Sequence, residues 1–164
     1  MDLGTTITGV GIFLLVIIPF IIMSVNNNKN EKKIRQELFD LAQQNDSKIT
    51  RHDLWDTSLI GIDDTVNRVF FIKKINNNQI AKKIDLADIQ KCQVLNNNRM
   101  VSNKDGNVKV IDQVALLLTY HNKGKKETGL EFYNADHDGF MLKGEVQLAE
   151  KWSSIINDAI LAKT

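Results

Sequence analysis

Few residues of this sequence have the types and the spacing that chemistry requires. The three histidines, His52, His121 and His137, stand far apart, and the single cysteine, Cys92, has no second thiol to join. A metal site needs several such ligands at short spacing, and nucleophilic catalysis needs a base beside the nucleophile. The sequence therefore predicts no metal ion, no cofactor and no catalytic residue, and we expect the protein not to be an enzyme.

Two features with chemically capable residue types have a simpler structural interpretation. The run Asp136-His137-Asp138-Gly139 could bind a cation, but the remaining ligands of a calcium loop are missing. Because Asp and Gly are also common turn residues, we interpret the run as a turn before the last helix. Cys92 lies in an apolar alternating segment, which favours a buried, unreactive thiol.

Basic residues form the remaining clusters. Exposed lysines usually serve solubility, although near an anionic bilayer each adds about 1 kcal/mol of attraction. The chain as a whole carries 21 basic and 20 acidic residues, which gives no electrostatic reason to expect nucleic-acid binding. The candidate contacts for lipid or for a partner are Lys29, Lys32, Lys33, Arg35, Lys73, Lys74, Lys82, Lys83, Lys123, Lys125 and Lys126.

Residues 1–28 are predicted to anchor the chain in a membrane. Thr5 to Val25 contain no charged side chain. As a helix this stretch extends roughly 31 Å, which matches a hydrocarbon core of about 30 Å. A cleaved signal peptide would need a basic segment before a shorter apolar run. We therefore predict a retained single-pass helix, which meets membrane lipid through residues that include Ile7, Phe13, Leu14, Pro19 and Phe20.

The flanks of the predicted span give its orientation. Four basic residues follow it within ten positions and none precedes it. The positive-inside rule then places the N-terminus outside and the following domain in the cytoplasm. Thr5, Thr8 and Gly9 form a small, mildly polar face on which a helix of another membrane subunit could dock. Such residues are also common in lone spans, so both interpretations stay open.

Residues 29–50 are predicted to be a juxtamembrane connector that contains a helix from Glu31 to Gln44. Ile34, Leu38 and Leu41 recur at helical spacing and form one apolar stripe. This stripe could pack on the globular domain. Alternatively, the helix could lie on the membrane surface with its basic residues among anionic headgroups.

Residues 51–164 alternate like a β protein and end like a helix. Asn96 to Asn107 are predicted to be a long polar loop with a turn at Asp105-Gly106. The last segment repeats apolar residues at helical spacing, which predicts an amphipathic helix that covers the sheet. That stripe consists of Leu148, Trp152, Ile155, Ile156 and Ala159. The predicted strands are Leu59 to Ile62, Arg68 to Lys73, Gln79 to Leu86, Lys91 to Leu95, Gln113 to His121 and Glu127 to Asn134.

The order of these elements carries a resemblance. It rests on Trp55 to Ile62, Arg68 to Lys73, Ile84 to Leu95, Val114 to Tyr120, Leu130 to Tyr133, and the helix with Ala149, Trp152 and Ile156. Six or seven short antiparallel strands closed by a C-terminal helix resemble the pleckstrin-homology-like fold. The chain also looks like small bacterial single-pass proteins with a cytosolic domain of that type. The resemblance implies an α+β domain, a small antiparallel β-barrel or sandwich capped by the helix.

The resembled family mainly supplies binding modules for lipids, peptides or other proteins. Its phosphoinositide-binding members carry clustered basic residues around the loop that joins their first two strands. This chain has Asp63-Asp64 there, with only Arg68 nearby, so that lipid site is not expected. We expect a non-enzymatic accessory subunit of a larger inner-membrane assembly, with other membrane subunits as partners. The alternative is a domain that senses an anionic membrane surface.

Overall fold

The structure, a computed structural model, describes residues 31–76, 78–103, 106–139 and 141–162. The predicted span from Thr5 to Val25, its candidate partner face and Lys29 lie outside these residues. Among the residues described, no helix is long and apolar enough to cross a membrane. The described chain is an α+β arrangement of two antiparallel sheets and two α-helices.

Sheet A is a meander of four antiparallel strands paired in chain order. Short turns join them, and Asp56, Asn67 and Asn76 in these turns have φ angles of 44°, 51° and 54°. Asn and Asp tolerate this left-handed region better than most residues, so the polar runs set the strand boundaries. The strands are β1 (Arg51–Trp55), β2 (Ser58–Asp63), β3 (Arg68–Ile75) and β4 (Asn78–Asp85).

Sheet B has three antiparallel strands and follows a short 3-10 helix, Leu86–Asp88. Its middle strand pairs with both neighbours, but with the last strand only from Gln113 to Leu118. The first two strands therefore continue beyond the third as a two-stranded ribbon. The strands are β5 (Ile89–Asn103), β6 (Gly106–Tyr120) and β7 (Thr128–Asn134).

This ribbon shows that the predicted loop from Asn96 to Asn107 was wrong. Asn disfavours strands, but residues 98–103 lie opposite residues 106–111 in one continuous ladder. Arg99 of β5 also forms an ion pair with Asp112 of β6, with 2.9 Å between Nε and Oδ1. Pairing with a strand that follows later in the chain therefore overrides the local preference for a turn.

Helix α2 (Glu145–Leu161) covers the main core, as its apolar stripe predicts. Ala149, Trp152 and Ile156 are fully buried against the two sheets. Cys92 is also buried, which confirms that prediction, and burial raises the pKa of its thiol to about 11. At neutral pH the thiol is therefore protonated and a poor nucleophile.

Side-chain hydrogen bonds fix α2 against both sheets. The Asn157 amide accepts from the backbone N–H of Cys92 at 2.9 Å and donates to its carbonyl at 2.8 Å. These two bonds take the place of the bonds that a further strand would make to the free edge of β5. The indole N–H of Trp152 donates to Asp53 of β1 at 2.8 Å. The helix is therefore bound to β5 and to β1.

Helix α1, residues 31–43, packs on the opposite face of sheet A. Ile34, Leu38 and Ala42 are buried there together with Phe70 and Ile72 of β3. Successive side chains of a strand point to opposite faces, so β3 contributes to both cores. The first of the two interpretations of the connector is confirmed, and its stripe is not available to a bilayer.

Gly61 in β2 permits this close packing. A Cβ at Gly61 would lie 3.0 Å from Cδ2 of Leu38 and 3.1 Å from Cγ2 of Ile49. We expect Gly61→Val to lower the free energy of unfolding by about 1–3 kcal/mol, because it overpacks the interface between α1 and the sheet. The measurement is urea unfolding of the detergent-solubilised chain, followed by tryptophan fluorescence.

Gly129→Ala is the matched control for this substitution. Gly129 is also a strand glycine, but a Cβ there would have no atom within 4 Å. Its replacement should leave stability unchanged or raise it by up to about 1 kcal/mol, because the unfolded chain loses entropy. Equal losses in the two variants would contradict the packing assigned to Gly61.

Candidate functional site

Strand β7 runs across sheet A instead of alongside it. Phe132 stacks on Trp55 of β1 with 4.4 Å between ring centroids, and the Trp55 indole N–H donates to the Phe132 carbonyl at 2.9 Å. Three residues earlier, the carbonyl of Gly129 accepts from Lys82 of β4 at 2.6 Å. Because β1 and β4 are opposite edges of sheet A, β7 must cross its strands. These side chains join the two sheets.

Lys73 of β3 lies at this crossing and has no exposed surface. Its ammonium group is 3.0 Å from Oε1 of Glu131 and 2.6 Å from Oδ2 of Asp138. A buried charge persists only when it is paired and hydrogen-bonded. We call these three residues the Lys73 centre; it links β3, β7 and the segment after β7.

Further hydrogen bonds complete the Lys73 centre. Oε2 of Glu131 accepts from the side-chain amides of Gln113 and Asn134, each at 2.9 Å. Burial alone would raise the pKa of Glu131, but bonds from Asn134, Gln113 and Lys73 outweigh burial and lower it. The Glu131 carboxylate is therefore ionised at neutral pH.

Two clefts flank the Lys73 centre. The turn cleft, about 390 Å³, lies between α1, the β1–β2 turn, the β3–β4 turn and the segment after β7. The edge cleft, about 270 Å³, lies between β3 and β4 of sheet A and all three strands of sheet B. Asp138 lines the turn cleft, while Lys73 and Glu131 line the edge cleft. The ion network is therefore part of the wall of both.

Several polar side chains of the turn cleft pair with charged residues of the surrounding elements. Lys74 pairs with Glu37 of α1 at 2.8 Å, and Asp138 pairs with Lys73. His137 lies 3.6 Å from Oε1 of Glu131. These pairs link α1, β3 and β7 to the walls of the turn cleft.

The run from Asp136 to Gly139 includes a turn, as predicted. The backbone N–H groups of His137 and Asp138 both donate to the carbonyl of Asn134, at 3.1 and 2.9 Å. The Asp138 carboxylate accepts hydrogen bonds from the ammonium group of Lys73 and from the backbone N–H of Asn134. Across the described ranges, no group of three His, Cys, Asp or Glu side chains is placed to hold a metal ion.

The edge cleft is mainly apolar. Its walls include Phe71 and Ile80 from sheet A, and Leu95 and Leu117 from sheet B. Lys82 lies beside these residues, and Gly129 of β7 forms part of the opposite wall. The cleft therefore combines an apolar interior with the side chain of Lys82 and with the ion pair of Lys73 and Glu131.

The basic residues that the sequence suggested as contacts differ in burial and in pairing. The charge of Lys73 is buried and paired with two carboxylates, so it is not available to lipid or to a partner, which corrects the sequence-based prediction for that residue. Lys74 pairs with Glu37, and Lys125 pairs with Asp88 at 2.9 Å. Among the candidate contacts, the exposed residues are Lys32, Lys33, Arg35, Lys83, Lys123, Lys125 and Lys126.

Sequence reasoning missed the burial of Lys73, although one signal was present. Val69, Phe71 and Lys73 follow each other at period two, so they share the core-facing side of β3. Two apolar residues in the same row indicate that the lysine also faces inward. Its partners, Glu131 and Asp138, lie too far along the chain for this local pattern to identify them.

The resemblance placed Asp63-Asp64 in the loop between the first two strands. The structure has an additional strand, β1, before those two, so Asp63-Asp64 lie at the end of the second strand. The loop between the first two strands is Asp56-Thr57. Asp63 instead orders the β2–β3 turn by accepting from the backbone and hydroxyl of Thr65, at 2.9 and 2.6 Å. Burial opposes ionisation of Asp63, yet these bonds leave its pKa below the usual range.

Helix α1 enters the domain at the end that holds the turn cleft. Ile34 of its first described turn lines that cleft with Thr57 and Asn76. The helix then runs toward the other end, where Asn45 accepts from Arg68 at 2.7 Å. The β6–β7 turn lies near this second end, because Lys125 reaches Asp88 of the 3-10 helix that follows β4.

Comparison with known proteins finds no matching family model, no similar curated protein and no similar solved structure. The function is therefore argued from the geometry of this chain.

We expect Lys73→Met to lower the free energy of unfolding by about 3–5 kcal/mol. The substitution keeps an apolar chain of similar length but leaves the carboxylates of Glu131 and Asp138 without their cation. Lys83→Met is the matched control, because that lysine is exposed on the adjacent strand, and it should change stability by less than about 0.5 kcal/mol. Urea unfolding measures both, and similar losses would contradict a joining role for Lys73.

The lowered pKa of Glu131 predicts a specific acid response. Its ionised form favours the folded state above the unfolded pKa of about 4.3, and this stabilisation disappears as pH falls through the lower folded pKa. Glu131→Gln should therefore be less stable than the natural chain at pH 7, and the two should converge in acid. Unfolding free energies measured from pH 7 to pH 3 test this; parallel curves would contradict it.

Proposed function

We propose that this protein is a non-enzymatic interaction module, held at the cytoplasmic face of a bacterial inner membrane as an accessory subunit of a larger assembly. The observation that carries the proposal is the junction between an uncharged stretch, Thr5 to Val25, and a helix that packs on the folded domain. Only residues 26–30 separate the stretch from α1, and they reach at most about 20 Å. The domain is thus held close to the bilayer.

The use of polar side chains supports a binding role over an enzymatic one. An active site needs a concave pocket in which several titratable groups converge on a substrate. In the described part of this chain, the buried ionic groups at the clefts are bonded to one another, as in the Lys73 centre. These groups stabilise the fold, and we therefore assign the function of the domain to binding by its surface.

We assign the domain to the pleckstrin-homology-like architecture within this proposal. A four-stranded and a three-stranded antiparallel sheet that cross each other, followed by a C-terminal helix over the core, support the assignment. The fold is used mainly for binding, although fold alone does not determine function. The assignment therefore agrees with an interaction module without naming its partner.

The distribution of charge favours a tethered module over a sensor of anionic lipid. Near the end where α1 begins, the exposed cations are Lys32, Lys33 and Arg35. Lys74 is paired there with Glu37, and the β6–β7 turn lies toward the other end of sheet A. Three lysines and arginines near a bilayer are typical of the flank of any inward-facing anchor.

Co-purification tests the proposal. The tagged full-length chain is crosslinked in native membranes and purified in mild detergent. We expect at least one membrane subunit to co-purify reproducibly, because the tether and the domain both serve assembly. Recovery of the monomer alone would contradict the proposal.

Vesicle binding tests the alternative. The chain without residues 1–30 is mixed with vesicles of neutral lipid and with vesicles that contain anionic lipid. An accessory subunit should float with neither kind. Strong flotation with the anionic vesicles alone, together with the absence of a co-purifying subunit, would favour lipid sensing.

A further inference from the structure

The free edges of β5 and β7 in sheet B are each covered at one or two points, whereas β1 and β4, the two edges of sheet A, pair only with their inner neighbours. Of these two, β4 lines the edge cleft. Asn157 bonds to the free edge of β5, and Trp55 and Lys82 bond to carbonyls of β7. Apart from its ladder with β3, the backbone of Asn78–Asp85 receives no hydrogen bond from any other described residue. Unpaired N–H and C=O groups on an edge strand are able to bind another extended chain.

The edge cleft lies beside β4 on one face of sheet A. Ile80 and Lys82 of β4 line it, opposite Leu95 and Leu117 of sheet B. A strand added to β4 would extend sheet A, and alternate side chains of that strand would project into the cleft. At about 270 Å³ the cleft is smaller than a typical small-molecule site of about 300–1,000 Å³, and its size suits an apolar side chain.

Gly129 provides an independent observation at the same place. It is the second residue of β7 and pairs with Leu117, and its φ is not among the positive values of the described residues, so its conformation does not require glycine. A Cβ there would have no atom within 4 Å. Glycine inside a strand often marks a place that a ligand or another backbone approaches closely. The missing side chain keeps the cleft open.

The charges of β4 indicate the chemistry of the occupant. Lys82 donates to the carbonyl of Gly129, and Lys83 donates to the side-chain oxygen of Asn45 at 2.8 Å. Both acceptors are neutral, whereas Lys73 is bound by carboxylates. Two uncompensated cations favour an acidic partner. The same lysines oppose pairing of β4 with β4 of a second copy, because the lysines of both copies would then lie close together along one short ladder.

We propose that β4 and the edge cleft form a docking site for an extended acidic segment of a partner protein. The segment adds a fifth strand to sheet A, places an apolar side chain in the cleft and brings carboxylates to Lys82 and Lys83. The inference rests on the proposed function and names the kind of partner that an interaction module of this shape accepts.

Site-specific photocrosslinking in native membranes tests this site. A benzoylphenylalanine is placed at Ile80 of the full-length chain, and at Lys123 in a matched control. We expect a crosslink from Ile80 to a segment of another polypeptide that mass spectrometry identifies as acidic, with little from Lys123. A synthetic peptide of the mapped segment is then used to measure affinity for the full-length chain in detergent.

Three variants separate the cleft and the charges from unfolding. Gly129→Val fills the cleft and should weaken peptide binding by at least about tenfold while urea unfolding shows no loss of stability. Lys83→Glu should weaken binding to a similar extent, because it replaces attraction by repulsion. Lys126→Glu makes the same charge change on an exposed turn residue and should leave affinity unchanged.

Several results would overturn the docking site. These are a crosslink from Ile80 to lipid, to a second copy of this chain or to a basic segment, and equal effects of Lys83→Glu and Lys126→Glu. If subunits co-purify but Ile80 gives no crosslink, the docking site is wrong and the accessory function stands. If no subunit co-purifies, the function proposed above fails as well.

Discussion

The buried ammonium group of Lys73 is a polar constraint that joins the two sheets of this fold. Apolar surfaces can slide over each other at small cost, but a buried cation that loses its carboxylates is strongly destabilising. Lys73 is fixed by the ladder of β3, so Glu131 of β7 and Asp138 of the following turn must come to it. The crossing of the two sheets and the position of the segment that leads into α2 follow from that requirement.

The edge strands of the two sheets differ in whether side chains bond to their free backbone groups. A side-chain amide of α2 covers β5 at Cys92, and an indole and an ammonium group cover β7. These covers are single hydrogen bonds from side chains, not a further strand, so the two sheets remain separate ladders. An edge that carries lysines instead of a cover resists self-association while it remains open to a chain of opposite charge.

Local pattern was enough to predict much of this structure. The apolar stripe around Trp152, the strands that include Leu59 to Ile62 and Arg68 to Lys73, and the burial of Cys92 depend on local periodicity, and the structure confirms them. The short strand β1 and the ribbon of β5 with β6 were missed because their residues are mostly polar and Asn disfavours strands, although each segment pairs with its neighbour in the chain. The Lys73 centre joins residues 58 and 65 positions apart, so no local pattern could reveal it.

In the anchored arrangement that we propose, only residues 26–30 lie between the membrane span and residue 31, which has a thermodynamic consequence for any binding surface of the domain. A partner in the same bilayer meets a tethered domain at an effective concentration that reaches the millimolar range for short linkers. A contact too weak to persist between freely diffusing proteins is then sufficiently occupied to be useful. The packing of α1 on sheet A strengthens this effect, because the domain does not need to order its first helix when it binds.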